Sequence, residues 1–245
     1  MNKKSSVITL GPINLSSESD KTLPPDYEDL PLLATRNFVL FPNVTFPILL
    51  TREISRKVCE EAESRDFHIA VVCQKDPDLQ TVPGFKDIFR YGVVARVIKV
   101  FELPDGNKTA IVSAESRISI AGEGPGEHIP GVPSVKAKPV QDTLPRPTDK
   151  EFGMIMTLLR ETTLRILNAQ SEGDHEVAFN INDIHDPQML INMVATHAPF
   201  SPEVKLGLLK KNRLKDRANQ LLADLAKSEK LIDLKNDIIR RTQAS

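Results

Sequence analysis

Enzymatic chemistry needs reactive side chains at set spacings, and along this chain the reactive types are present but dispersed. Gly106-Asn107-Lys108-Thr109 has the ending of a phosphate-binding loop, in which backbone N–H groups cradle phosphate and a lysine reaches its outer oxygens. Phe101 stands where the first glycine of that motif belongs, and the Asp-Gly pair just before it marks a hairpin turn, so nucleotide binding there is disfavoured. His68, His128, His175, His185 and His197 are scattered, and none has a neighbour at metal-ligand spacing. Cys59 falls mid-helix in an apolar register and Cys73 ends an apolar run, which suits small core residues better than nucleophiles. Glu60 and Glu61 occupy successive helical positions that face different directions, so they form a solvated surface and no acid–base pair. No Gly-x-Ser-x-Gly elbow occurs. On these residues no catalytic group, cofactor contact or metal ligand is assigned.

The background composition is that of an ordinary globular protein. The chain has 245 residues, 40% apolar and 27% charged, with 5% aromatics and no Trp, so its cores must be built from Val, Ile and Leu. That length suits two compact domains, or one domain with a helical extension. Two cysteines without a Cys-x-x-Cys pair argue against a disulfide framework or zinc site and point to a reducing cytoplasm. The apolar run Val7–Leu10 is too short for a signal peptide or membrane span, so the sequons at Asn14, Asn43 and Asn107 read as chance matches. The formal net charge of −1 conceals an asymmetry. From Glu203 to Ser245 there are eleven Lys/Arg against six Asp/Glu, a balance of +5; the rest holds 21 against 27, a balance of −6. An acidic body without a basic stripe and interleaved aromatics argues against a nucleic-acid partner. The basic end mixes acids with its bases, as a solvated helix does.

The elements that must position any site divide along the chain. Residues 1–29 are polar and Ser-rich, with Pro24-Pro25, and read as a disordered tail. From Leu30 the signals are mostly β. Phe38–Phe41 and Phe46–Leu50 are short apolar runs broken by Pro42-Asn43. Arg52–Asp66 predicts a helix with Thr51 as N-cap, and Ile69–Cys73 a strand buried on both faces. Gly92–Phe101 and Lys108–Val112 predict a hairpin through Leu103-Pro104-Asp105-Gly106-Asn107, whose Asp-Gly pair would supply positive φ angles. Gly122–Pro147 holds ten Gly or Pro in 26 residues and reads as a boundary, with one possible strand at Ser134–Val140.

Beyond it, helices are expected over Asp149–Ser171, His175–Ile181, Pro187–Ala195, Pro202–Lys211 and Leu214–Thr242. Their starts are signed by a capping box at Thr148–Glu151, by Asp186-Pro187 and by Ser201-Pro202. Leu214, Ala218, Leu221, Leu225, Ile232 and Ile239 keep heptad spacing in the last helix, but Ser228 and Lys235 interrupt the seam. Such a helix packs at its N-terminal half and projects as a strut, which suggests a larger protein whose remaining part holds the chemistry.

One surplus stands out: the two Phe-Pro-rich runs hold more apolar groups than a one-sided strand needs. Either the strands are buried on both faces, or some of these residues project as an apolar patch that binds unfolded chain.

Several of these segments resemble, in order, the N-terminal region of ATP-dependent Lon proteases. They are Leu30–Pro42 with Pro47 and Arg52-Glu53, Gln74-Lys75-Asp76-Pro77, Gly92–Val97, and Leu103-Pro104-Asp105-Gly106. Ile184-His185-Asp186-Pro187, Val194-Ala195-Thr196-His197 and the stretch around Leu208–Leu222 complete the likeness, which covers essentially Leu30 to Ser245. Ala34-Thr35 departs from it, since the family usually has Pro-Leu there, and the first 29 residues lie outside it.

The resemblance implies an α+β fold: a twisted, mostly antiparallel, PUA-like β-domain over 30–143 with one or two helices, a helical bundle over 144–211, and a long helix over 212–245. It implies capture of unfolded or damaged proteins, a homohexamer in the full-length protein, and an ATPase module with ATP and Mg and a serine protease domain beyond Ser245, with no cofactor in this chain itself. Under it the expected client contacts are Phe46, Pro47, Leu103 and Ile111, gathered by the turn and the hairpin. A stand-alone adaptor module, for protein or RNA, is the alternative.

Overall fold

The structure, a computed structural model, describes residues 26–169 and 181–243; of these, 168–169 and 233–243 are described as backbone only. Six strands come first: β1 (Tyr27–Thr35), β2 (Thr45–Leu50), β3 (Ile69–Cys73), β4 (Tyr91–Glu102), β5 (Lys108–Glu123) and β6 (Ser134–Val140), with α1 (Glu53–Arg65) between β2 and β3. The helices α2 (Lys150–Ala169), α3 (Pro187–His197), α4 (Pro202–Leu209) and α5 (Leu214–Gln243) follow. The fold is the expected α+β arrangement. The tail expected over 1–29 lies outside the described residues up to 25, and β1 begins at Tyr27, three residues before the expected start. Of the helix expected over His175–Ile181, only residue 181 is described, and it is helical together with 182 and 183.

The sheet runs in the order β2-β5-β4-β3-β1-β6, and a further β5–β6 pairing closes five of these strands on themselves. Only β1 and β3 pair in parallel among the described strands. β3 is short, wholly apolar and buried along its length, as a strand with neighbours on both sides and cores on both faces must be. Its Ile69 and Val71 join a core closed by α1, whereas Ala70 and Val72 line the opposite core with Leu30, Leu32, Ile118 and Val135. Gly92 is required here, because a Cβ at that position would lie 2.5 Å from the Val71 carbonyl oxygen and 2.8 Å from Val72 Cγ2.

β5 is sixteen residues long and reaches Glu123, well beyond the Val112 end that its sequence suggests. The first half pairs with β2 and the second with β6, while β4 lies alongside through two register shifts. The hairpin between β4 and β5 is a five-residue loop in which Gly106 alone takes a positive φ, of 82°; Asp105 instead accepts from Asn107 N at 3.0 Å. The run Phe38–Phe41 forms no strand. Its Val39, Leu40 and Phe41 are buried in a loop that feeds both the α1 core and the helical core, and Asn43 turns it at φ 60°.

Ser55, Val58, Cys59 and Ala62 make one buried stripe on α1. The cap is Arg52 and not Thr51, without a side-chain bond, because a guanidinium has no acceptor to offer the helix amides; it donates instead to the Leu79 carbonyl at 2.9 Å. At α2 the capping side chain is Asp149, which accepts from Phe152 N at 3.0 Å; the capping box fails because Glu151 turns to Lys215 on α5 at 2.6 Å. Asp186 caps α3 as expected, accepting from Met189 N at 2.8 Å, but Ser201 makes no capping bond at α4. Leu214, Ala218, Leu221 and Leu225 of α5 are buried in the helical core and Ile232 packs on it partly, while the Ile239 side chain lies outside the described residues. Among the described residues no helix is long and apolar enough to cross a membrane.

Candidate functional surface

The geometry of the candidate site follows from alternation along β2. Phe46, Ile48 and Leu50 turn to the α1 core; Thr45, Pro47 and Leu49 turn to the opposite face and are exposed, Leu49 to 51%. Pairing extends that face over three strands. Pro47 stands opposite Ile111, which stands opposite Lys99; Leu49 stands opposite Thr109, which stands opposite Phe101. Leu103 continues the Phe101 row onto the hairpin loop, about 13 Å along the strand from the Ile111 row. Pro47, Leu49, Ile111, Phe101 and Leu103 thus share one face of a strand corner.

Of the four residues expected here, Phe46 does not join the others. It is half-buried on the α1 side, its ring stacked on Phe38 at 4.5 Å and tilted against His197 of α3 at 5.5 Å. Leu49 and Phe101, not among the expected residues, lie two positions from Pro47 and Leu103, the spacing that puts strand side chains on one face.

The rim of this corner is charged. Arg96 binds Glu115 at 2.9 Å and Asp66 at 3.0 Å, and His68 Nε2 lies 2.9 Å from Glu115 Oε2. The His68 bond, then its charge and that of Arg96, hold the Glu115 carboxyl below the usual carboxylate range against the opposing effect of burial. Lys99 meets Glu63 at 2.8 Å, and Lys108 pairs with Glu60. The Glu60-Glu61 pair is therefore the solvated surface expected of it, Glu61 facing Arg65 one turn on.

The reactive side chains are held elsewhere and held inert. Cys59 and Cys73 are both buried; burial, with the Glu60 charge adding to it, pushes the Cys59 thiol up to about 12, and burial raises Cys73 as well. Among the described residues no group of three His, Cys, Asp or Glu is placed to hold a metal ion. A small cleft of about 110 Å³ opens between α2, α3 and α5, lined by Thr163, Ile166, Met193, Val194 and Leu225, and its walls are largely apolar.

The helices are tied to the sheet by a buried ionic network that sequence spacing does not suggest. Arg117 of β5 donates to the Leu209 carbonyl at 2.7 Å and the Gln141 carbonyl at 3.0 Å, and pairs with Asp142 at 2.5 Å. Arg217 of α5 gives both terminal nitrogens to the same carboxylate, at 2.6 and 3.0 Å, and Gln188 of α3 donates to it at 2.7 Å. Desolvation, reinforced by repulsion from Arg217, brings Arg117 down to about 10, so its guanidinium stays charged at neutral pH. One buried carboxylate thus holds two buried cations at the point where α5 leaves the sheet.

Comparison with known proteins places this architecture. The family model described as the ATP-dependent protease La (LON) substrate-binding domain matches residues 29–227. The Lon protease of Parabacteroides distasonis is 30% identical over 217 residues, covering 88% of this chain and 26% of that protein. The Lon protease of Escherichia coli K12 is 28% identical over 225 residues, covering 88% and 27%. The chain therefore spans about a quarter of the length of the curated relatives it matches. Among solved structures, the N-terminal domain of Mycobacterium avium complex Lon protease superposes with a TM-score of 0.61 at 20% identity, covering 81% of this chain and 98% of that one. The Lon N-terminal domain protein of Xanthomonas campestris gives 0.54 at 18%, covering 80% and 97%.

Proposed function

The chain belongs to the family of ATP-dependent protease La (LON) substrate-binding domains, and on that premise we propose that it recruits unfolded or damaged proteins for a Lon-type ATP-dependent serine protease. The contact surface in this reading is the strand corner of Pro47, Leu49, Phe101 and Ile111, with Leu103 at its end. The observation that carries it is one outward face on which Leu49 is 51% exposed and Pro47 is exposed, with Phe101, Leu103 and Ile111 half-buried beside them, where a folded domain gains by hiding apolar groups. Such a face binds what folded proteins conceal, and it binds each segment weakly.

Assembly then matters. Six copies in a ring would hold one client at several points and raise the overall affinity through effective concentration. In this reading α5 links the capture layer to an ATP- and Mg-dependent motor carried by the rest of the enzyme. Its buried N-terminal half, anchored through Arg217, would transmit force to the sheet without a flexible joint.

Titration of the whole chain with reduced, carboxymethylated lactalbumin tests the surface. Leu49→Ser and Ile111→Ser should each weaken binding about fivefold, while the melting temperature moves by less than about 3 °C. Equal binding by both variants, or equal binding of native lactalbumin, refutes the reading; a collapsed melting temperature shows that these residues belong to the core.

A further inference from the structure

Beside that face lies an open sheet edge, and its hydrogen-bonding groups define what kind of partner it fits. Among the described strands β2 alone has a single neighbour. Two separate observations fix which way its amide groups point. On the far side of β5, Leu103 N donates to the Asn107 carbonyl at 2.7 Å, which makes 103/107, 101/109 and 99/111 the hydrogen-bonded pairs with β4. Ala110 and Val112 must then turn their amides to β2. On the near side, Ala114 N donates to the Val44 carbonyl at 3.0 Å, in the same phase.

Thr45, Pro47 and Leu49 therefore direct their main-chain groups away from β5. The open edge presents the N–H of Thr45 and Leu49 and the carbonyls of Thr45, Pro47 and Leu49. Among the described residues none of these five groups has a hydrogen-bond partner. Pro47 falls at an outward position, where its missing N–H takes no bond from the β2–β5 ladder.

We infer that the free edge of β2 takes up an extended segment of an unfolded polypeptide as an added strand. This rests on the reading of the adjoining face as a client-binding surface. The main chain of the client would bond to Thr45, the Pro47 carbonyl and Leu49, while its alternate side chains lie over Pro47, Leu49 and Ile111. Main chain is what every polypeptide shares, so such an edge recognises without regard to sequence. It also discriminates, because folded proteins have already paired their main-chain groups. Pro47 withholds the sixth bond, which keeps the added strand releasable and disfavours a permanent partner.

Fluorescence anisotropy of the full 245-residue chain tests this with a labelled nine-residue peptide of alternating valine and threonine, carrying lysine at each end. Leu49→Pro removes an outward donor, retains an apolar ring and leaves the bonds to β5 in place; binding should weaken about fivefold. Pro47→Ala restores a donor and should tighten binding about threefold. The same peptide N-methylated at alternate residues should lose about tenfold against the unmodified chain, a comparison that holds even if Leu49→Pro folds poorly. If Leu49→Pro, Pro47→Ala and the methylated peptide all match their references while Leu49→Ser still weakens lactalbumin binding, the edge inference fails and the apolar face stands. Failure of every probe to bind overturns both. Sedimentation showing two copies joined through β2, with dimer formation lost in Leu49→Pro, would assign the edge to self-association and overturn the inference.

Discussion

Replacing Asp142 by asparagine should destabilise the protein more than any loss of a single surface charge could. The shape is retained, but the only negative charge that the described residues place against Arg117 and Arg217 is gone. Both arginine side chains are at most 1% exposed and Asp142 is 5% exposed, so solvent does not replace the lost charge. Spare acceptors are also lacking: Arg117 Nε, Arg217 Nε and Asn192 Nδ2 are buried without a hydrogen-bond partner as it is. Removing one member of a buried ionic cluster costs about 3–5 kcal/mol, because a charge is left uncompensated. For a chain of this length that corresponds to a fall of roughly 6–20 °C in melting temperature. Thermal melts followed by far-ultraviolet circular dichroism read this directly, and limited proteolysis between β6 and α2 reads whether the junction opens first. A companion variant with Arg117→Met, Asp142→Leu and Arg217→Met together should lose less than Asp142→Asn alone, since no buried charge remains unpaired. A fall below about 2 °C for Asp142→Asn would refute the reasoning and show that the junction is solvated.

Two further predictions concern close packing and titration. Gly92→Ala should cost about 1–3 kcal/mol in urea melts, because the new methyl meets the β3 backbone at 2.5 Å; an unchanged midpoint would show that β3 and β4 separate freely. Lys205 is buried with its ammonium on the Thr196 carbonyl at 2.6 Å, and desolvation brings it down to about 8 from 10.5. Between those values the unfolded chain holds a proton that the folded chain has released, so stability rises with pH, by about 3 kcal/mol in all. Lys205→Met should lack this rise, and the difference between the two stability–pH curves isolates it from the thiols, which act in the opposite direction; parallel curves would refute it.

The elements that were legible in the sequence are those whose cause is local. Asp105-Gly106 marks a turn because glycine accepts the positive φ that Gly106 adopts, and Asp186-Pro187 marks a helix start because the carboxylate reaches an amide three residues on. Ile69–Cys73 declares burial on both faces by having no polar residue. The likeness to Lon N-terminal regions was also legible, since separate short motifs keep their order along the chain. Elements that depend on distant partners were not legible. Ser113–Arg117 looks too polar to extend a strand, yet β5 runs through it, because Arg117 finds its acceptors on segments as much as 95 residues away. Phe38–Phe41 looks like a strand and is a loop, because two cores claim its side chains.

By itself the sequence marked the passage from strands to helices, through backbone preference and apolar periodicity, and pointed to the α+β class through its resemblance to Lon N-terminal regions. Only the tertiary structure decided which apolar residues of the two Phe-Pro runs face outward. Registry across β2, β5 and β4 sends Pro47, Leu49 and Ile111 to one face and Phe46 to the other, and leaves one edge of β2 unpaired. A strand carries alternation in its own sequence, but which of its two faces meets a core is set by the neighbours that pack against it.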